Sequence, residues 1–109
     1  MAEVLDVTDQ TFEREVVESD IPVIVDFWGE HCPPCRQISP MLRDFAGEYA
    51  GRVKIVKVNS DENGETMVRY RVMALPTILA FSGGQVIGQI VGARPKKDFK
   101  EIIERALVA

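Results

Sequence analysis

The chain has 109 residues, 46% of them hydrophobic and 28% charged, with 13 Lys and Arg against 17 Asp and Glu and a net charge of −4. This length suits one ordinary domain spanning residues 1–109, and the globular balance of apolar and charged residues excludes a disordered tail, a collagen-like fibre and a low-complexity linker. An acidic chain is not built to neutralise phosphate backbones or anionic lipid, so neither nucleic acid nor a membrane is an expected partner, and a monomer is the expected state.

Taken in chain order, Val4 to Val7 reads as a short extended start. Thr8 to Asp20 places Phe12, Val16 and Val17 among acids, with Thr8 and Asp9 as caps, and predicts a surface helix. Pro22 to Trp28 is a nearly continuous apolar, β-branched run, the pattern of a strand buried on both faces. From Pro34, the residues Ile38, Met41, Leu42, Phe45 and Tyr49 fall on one face of an amphipathic helix that ends before Gly51 and is kinked by Pro40. Val53 to Val58 reads as a second strand. Ser60 to Tyr70 predicts a weaker helix interrupted at Asn63 and Gly64. Thr77 to Phe81 and Gln85 to Val91 form a hairpin across Ser82, Gly83 and Gly84, since adjacent glycines supply the positive φ angles of a tight turn. Phe99, Ile102, Ile103, Ala106 and Leu107 then form the apolar face of a last helix. Strands separated by helices pair in parallel and a hairpin pairs antiparallel, so the expected fold is α/β with a central mixed sheet packed by helices.

No run approaches the roughly eighteen apolar residues of a membrane span, and the acid-rich start lacks the basic and apolar regions of a signal peptide. The expected location is the cytoplasm. The two cysteines are too few to staple a secreted mini-protein.

Cys32-Pro33-Pro34-Cys35 lies where the strand ending near Trp28 gives way to the helix beginning near Pro34. Residues three apart in a first helical turn have Cα atoms about 5 to 6 Å apart, a separation that a disulfide spans without large backbone movement. Unpaired N–H groups and the positive end of the helix dipole favour a thiolate at Cys32. The competing readings are a structural disulfide and half of a zinc site. A bridge closing so short a loop stabilises by roughly 2 kcal/mol, and cytoplasmic reductants open it. Zinc needs four ligands as a rule, against two thiols and the adjacent His31 here. A redox pair is therefore the favoured reading.

The run Val25-Asp26-Phe27-Trp28-Gly29-Glu30-His31-Cys32-Pro33-Pro34-Cys35-Arg36 resembles the active-site segment of the thioredoxin family, whose usual form is V-D-F-W-A-x-W-C-G-P-C-K. The likeness continues through Pro40, Lys57, Leu75-Pro76-Thr77, Gly84 and Val91-Gly92. It implies the thioredoxin fold, with a five-stranded mixed sheet flanked by helices on both faces, and a general protein-disulfide reductase that carries electrons by reversible dithiol-disulfide exchange. The partners it implies are disulfide-containing proteins and, as electron donor, a flavin-containing thioredoxin reductase. No cofactor of its own is expected, because the chain has no GxGxxG fingerprint and no room for a nicotinamide or flavin domain.

The resemblance also assigns roles. Cys32 attacks the substrate disulfide and Cys35 resolves the mixed disulfide. Asp26, an acid among large apolar neighbours, is expected to be buried, with a raised pKa that lets it assist deprotonation of Cys35, with Lys57 nearby. The bland alternatives are solvated strand residues. Leu75-Pro76 is expected to hold a cis bond and to pair its backbone with extended substrate, while Trp28, Pro34, Leu75 and Gly92 form an apolar rim. Two residues depart from the family's string. Pro33 stands where glycine is usual, stiffening the loop and removing an N–H that could face the sulfurs. His31 stands where a second tryptophan is usual, and favours the thiolate if protonated. These effects oppose each other, so the direction of any change in reduction potential is left open. The alternative functions are a specialised oxidant or isomerase, and a binding module with incidental redox chemistry.

Overall fold

The computed structural model describes residues 3–109. Five strands, β1 (Leu5–Asp6), β2 (Val23–Trp28), β3 (Lys54–Asn59), β4 (Thr77–Ser82) and β5 (Gln85–Val91), form one sheet in the order β1-β3-β2-β4-β5. The two pairings of β3 are parallel, and those of β4 are antiparallel. This is the mixed α/β sheet expected from helices between the early strands and a hairpin between the late ones.

Alternation along β2 explains its unbroken apolar run. Ile24 joins a cluster with Ile38, Leu42 and Phe45 of helix α1 (Pro33–Glu48) and Phe99, Ile102 and Ile103 of helix α3 (Lys96–Val108). Val23, Val25 and Phe27 point the other way, to Phe12, Val16, Val58 and Phe81, with Met67 of helix α2 (Gly64–Arg69) and Tyr70 packed against them. Both faces are therefore covered, and each fully buried Phe, Ile or Leu contributes about 1.5 to 3 kcal/mol. Phe12, Tyr70 and Phe81 close the second layer as a ring triad, with centroids 5.2 to 5.8 Å apart.

The N-terminal segment departs from expectation. Instead of a helix over residues 8–20, only Glu13–Val17 is regular, as a single π-helical turn with the Glu18 N–H donating to the Glu13 carbonyl at 2.9 Å. Asp9 does not cap this turn. Its carboxylate accepts the Thr66 N–H at 2.9 Å, the Thr66 hydroxyl at 2.6 Å and the Glu65 N–H at 3.3 Å, so it caps α2 from 57 residues away. Asn63 answers by accepting the Asp9 N–H at 2.8 Å. Asn63 and Gly64 accordingly open α2 rather than interrupt it, because the donors at its start find their acceptor in a distant segment.

Pro40 lies inside α1, which continues through it to Glu48. The hairpin turn falls at Gly83 and Gly84, with φ of 58° and 80°. A Cβ on Gly84 would meet the Val17 carbonyl oxygen at 2.9 Å, so this turn packs directly on the N-terminal segment.

Candidate active site

Where β2 leaves the sheet, the chain turns within four residues into α1, and Cys32 occupies the N-cap of that helix. Its extended backbone, φ −131° and ψ 90°, aims Sγ back over the first turn, where it accepts the Cys35 N–H at 3.2 Å. The cysteines are joined as a disulfide with Cα atoms 5.3 Å apart, within the separation expected from spacing alone. Pro33 and Pro34 fill the first two helical positions. At a helix start, the N–H groups that turn towards the cap side chain are those of the second and third positions. Pro34 thus withholds a donor from the sulfur, whereas Pro33 sits where no such donor is directed. At the first helical position, Pro33 therefore offers no support for a hydrogen bond lost to the sulfurs.

Asp26, which lines one cavity with Cys35, is 3% exposed, with Oδ1 lacking any hydrogen-bond partner among the described residues. Burial pushes its carboxyl from the ordinary 3.8 up to about 7, against the opposing pull of the Lys57 ammonium. Lys57 is the register partner of both Asp26 and Asp6 across β2, β3 and β1. Its Nζ is 3.9 Å from Asp6 Oδ1 and 5.7 Å from the centroid of the Trp28 ring, and it is half-buried. A cavity of 170 Å³ is lined by Asp26, Trp28, Cys35, Ser39 and Lys57, which brings the acid, the ammonium and the inner cysteine to one space. Asp26, Ser39 and Lys57 also line a larger cavity of 670 Å³ that runs along α1 past Leu42, Arg43 and Glu48.

Ser39 went unremarked in the sequence. The signal was present in its spacing, since a residue four after Cys35 on a helix must share its face.

The remaining site residues meet at one end of the sheet because the register puts them there. Thr77 is opposite both Phe27 and Val91, so Trp28, Pro76 and Gly92, one step beyond each, collect at that edge. The Leu75–Pro76 peptide bond is cis. Gly92 donates its N–H to the Pro76 carbonyl at 2.9 Å, tying the two loops together. A Cβ on Gly29 would lie 3.0 Å from Leu75 Cδ1, which places the Leu75 side chain against the loop leading to the cysteines. His31, Pro33 and Pro34 are exposed, whereas Trp28 is only half-exposed, with its indole N–H buried and unpartnered among the described residues. Met73, 93% exposed, and Val91, 42% exposed, add to the apolar surface flanking Leu75 and Gly92; the sequence marks Val91 as a strand end and a landmark of the resemblance but assigns neither residue to the site.

A disulfide at a strand-to-helix corner, with a buried acid sharing the cavity beside it and a cis-proline loop at the same end of the sheet, defines a thiol-disulfide exchange domain. The Thioredoxin family profile matches residues 3–105. The chain is 43% identical over 107 residues to Thioredoxin 1 of Nostoc sp., covering 98% of this chain and all of that one. It is 46% identical over 105 residues to Thioredoxin of Haemophilus influenzae, covering 96% and 98%, and 52% identical over 97 residues to Thioredoxin of Streptomyces clavuligerus, covering 88% and 90%. The chain belongs to the thioredoxin family. It is a thiol-disulfide oxidoreductase that works by dithiol-disulfide exchange through Cys32 and Cys35, and thioredoxins act on disulfide substrates and are reduced by thioredoxin reductase. Among the described residues, no helix is long and apolar enough to cross a membrane.

Proposed function

We propose that the chain is a general protein-disulfide reductase of the cytoplasm, acting as a monomer and as one domain. The cycle starts when the Cys32 thiolate attacks one sulfur of a substrate disulfide, forming a Cys32–substrate bond and expelling the other substrate sulfur as a thiolate. Cys35 then loses its proton, attacks Cys32 and expels the second substrate sulfur, leaving the substrate reduced and the protein oxidised. The observation that carries this reading is the cavity that Asp26, Lys57 and Cys35 line together. A carboxylate titrating near 7 accepts the Cys35 proton at neutral pH and returns it to water.

Substrate specificity is broad in this reading. The backbone before Pro76 pairs with an extended segment of substrate, so that main-chain hydrogen bonds supply affinity with little demand on sequence. Leu75, Pro34, Gly92 and the edge of Trp28 supply apolar contact. The Cys-Pro-Pro-Cys loop is a stiffened variant of the family's usual string, and His31 narrows the apolar face that meets a partner. A flavin-containing thioredoxin reductase returns the dithiol.

Trapping tests the cycle. Cys35→Ser removes the resolving thiol, and stable mixed disulfides with cellular proteins are expected that vanish in Cys32→Ser. If both variants associate equally with the same proteins, the domain is a binding module instead. A redox titration distinguishes the reductant from a specialised oxidant, whose disulfide would be the less stable state.

A further inference from the structure

Among the described residues, the backbone enters the left-handed region at Gly51, Gly83, Gly84, Gly92 and Arg71. Four of the five are glycine, the residue that adopts this conformation without steric cost. Arg71, at φ 56°, is the exception. The conformation is imposed by the end of α2: the Arg71 N–H donates to the Val68 carbonyl at 3.1 Å and the Val72 N–H to the Met67 carbonyl at 2.9 Å, the paired bonds of a helix terminator. Glycine is the residue that such a terminator favours, so a long cationic side chain here runs against the local preference of the backbone.

The surroundings of Arg71 indicate its use. It lines a groove of 220 Å³ with Tyr70, Met73, Ala74 and Val91, immediately before the Leu75–Pro76 loop and beside the Thr77 start of β4. Arg71 is exposed, it is the only formally charged residue in that lining, and it forms no ion pair among the described residues. An extended peptide laid along the backbone before Pro76 would pass this groove. Met73 and Val91 would meet its apolar side chains, and Arg71 is free to meet a carboxylate.

We infer that Arg71 is a specificity-determining residue for the exchange reaction, and that it selects substrates whose reactive cysteine is flanked by a Glu or Asp a few residues away. The inference rests on the proposed pairing of substrate with the Leu75–Pro76 backbone. The net charge of −4 works in the opposite direction. A long-range field would draw in cationic peptides, but beyond about 8 Å it is screened at physiological salt, so a preference for acidic peptides reports a local contact.

The probes are synthetic peptides with one cysteine capped as a mixed disulfide with 5-thio-2-nitrobenzoate, carrying Glu, Ala or Lys at positions two to five residues from the cysteine on either side. The Cys32 thiolate attacks the peptide sulfur, a Cys32–peptide disulfide forms, and the nitrobenzoate thiolate leaves with its electron pair and is read by absorbance. The readout is the ratio of Glu-peptide to Lys-peptide rates within each protein, which cancels any general effect of a substitution on the fold or the dithiol. In the unaltered protein the ratio is expected to be about threefold to tenfold at the best position. It should persist in Arg71→Lys, fall to about one in Arg71→Gly, invert in Arg71→Glu and shrink in 0.5 M salt. An equal ratio in the unaltered protein and Arg71→Gly overturns the inference, and would mean that Arg71 serves only the C-terminal dipole of α2. Failure of the unaltered protein to react with the Ala peptide would instead overturn the proposed reductase function.

Discussion

Asp26 and Lys57 stand opposite one another in adjacent parallel strands, yet only the carboxyl is deeply buried. The ammonium reaches outward to Asp6 and over the Trp28 ring, so it offsets only part of the desolvation of its neighbour. The result is a carboxyl with its pKa raised to about 7, lining one cavity with Cys35.

This burial has a measurable effect on stability. The folded-state pKa of Asp26 is raised to about 7 from 3.8, so between these values the folded state holds a proton that the unfolded state has released. Stability must therefore fall as pH rises through that window, by on the order of 4 kcal/mol in total from this group, and level off above it. With both proteins oxidised, urea melts from pH 4 to 8 should show Asp26→Asn losing this slope, and gaining on the unaltered protein as pH rises. Parallel curves would mean that the carboxyl is not desolvated as described.

The same substitution should slow release of trapped substrate. In a mixed disulfide at Cys32, resolution by Cys35 is expected to fall at least tenfold at pH 7 in Asp26→Asn and to recover towards pH 9, where hydroxide takes the proton. Rapid-quench measurement of the resolution rate against pH checks this. An unchanged profile assigns the proton to another acceptor.

Asp9 holds α2 across the chain. Burial works against its ionisation, but bonds from the Thr66 hydroxyl and from the N–H groups of Thr66 and Glu65 hold its carboxyl below the ordinary 3.8. Asp9→Ala leaves those donors unmatched and should lower stability at pH 7 by about 1 to 2 kcal/mol. The difference should diminish as pH falls through the depressed pKa, where the carboxylate takes up a proton. Urea melts at pH 7 and pH 3 read both effects.

Gly84 has two reasons to be glycine, its φ of 80° and its approach to the Val17 carbonyl. Gly84→Ala should destabilise by roughly 1 to 3 kcal/mol, whereas alanine at Gly83, which meets nothing within 4 Å, should cost only the backbone strain. Equal losses would show that the hairpin does not press on the N-terminal segment.

Pro33 is expected to act through stiffness. Pro33→Gly should lower stability by about 0.5 to 1 kcal/mol by enlarging the unfolded ensemble, while the pH profile of Cys32 alkylation stays in place, because the first helical N–H is not directed at the sulfur. A profile displaced by a full unit or more would restore the lost-donor account.

Much of this molecule is legible without coordinates. The strands from Pro22, Val53 and Thr77 and the helices carrying Ile38 to Tyr49 and Phe99 to Leu107 follow from their apolar patterning, because each has a face that requires burial whatever its neighbours, and the largely exposed strand from Gln85 follows from the glycine turn before it. The cysteine pair is legible for a similar reason: its geometry is fixed within one helical turn. The N-terminal segment is not, since Phe12 and Val16 are held by Tyr70 and Phe81, and Asp9 by the start of α2, partners that no local pattern names.

What the sequence determined by itself was the local chemistry: the elements, the dithiol at the head of a helix, and an acid set in an apolar strand. What only the tertiary structure decided was adjacency. Strand register brought Trp28, Pro76 and Gly92 to one edge and Lys57 beside Asp26, and the end of α2 set Arg71 in a groove next to the Leu75–Pro76 loop. The reason is physical. Helical and strand periods act over a few residues, whereas a pKa, a cavity or a cap depends on which distant groups are brought within a few ångströms, and packing of the whole chain alone specifies that.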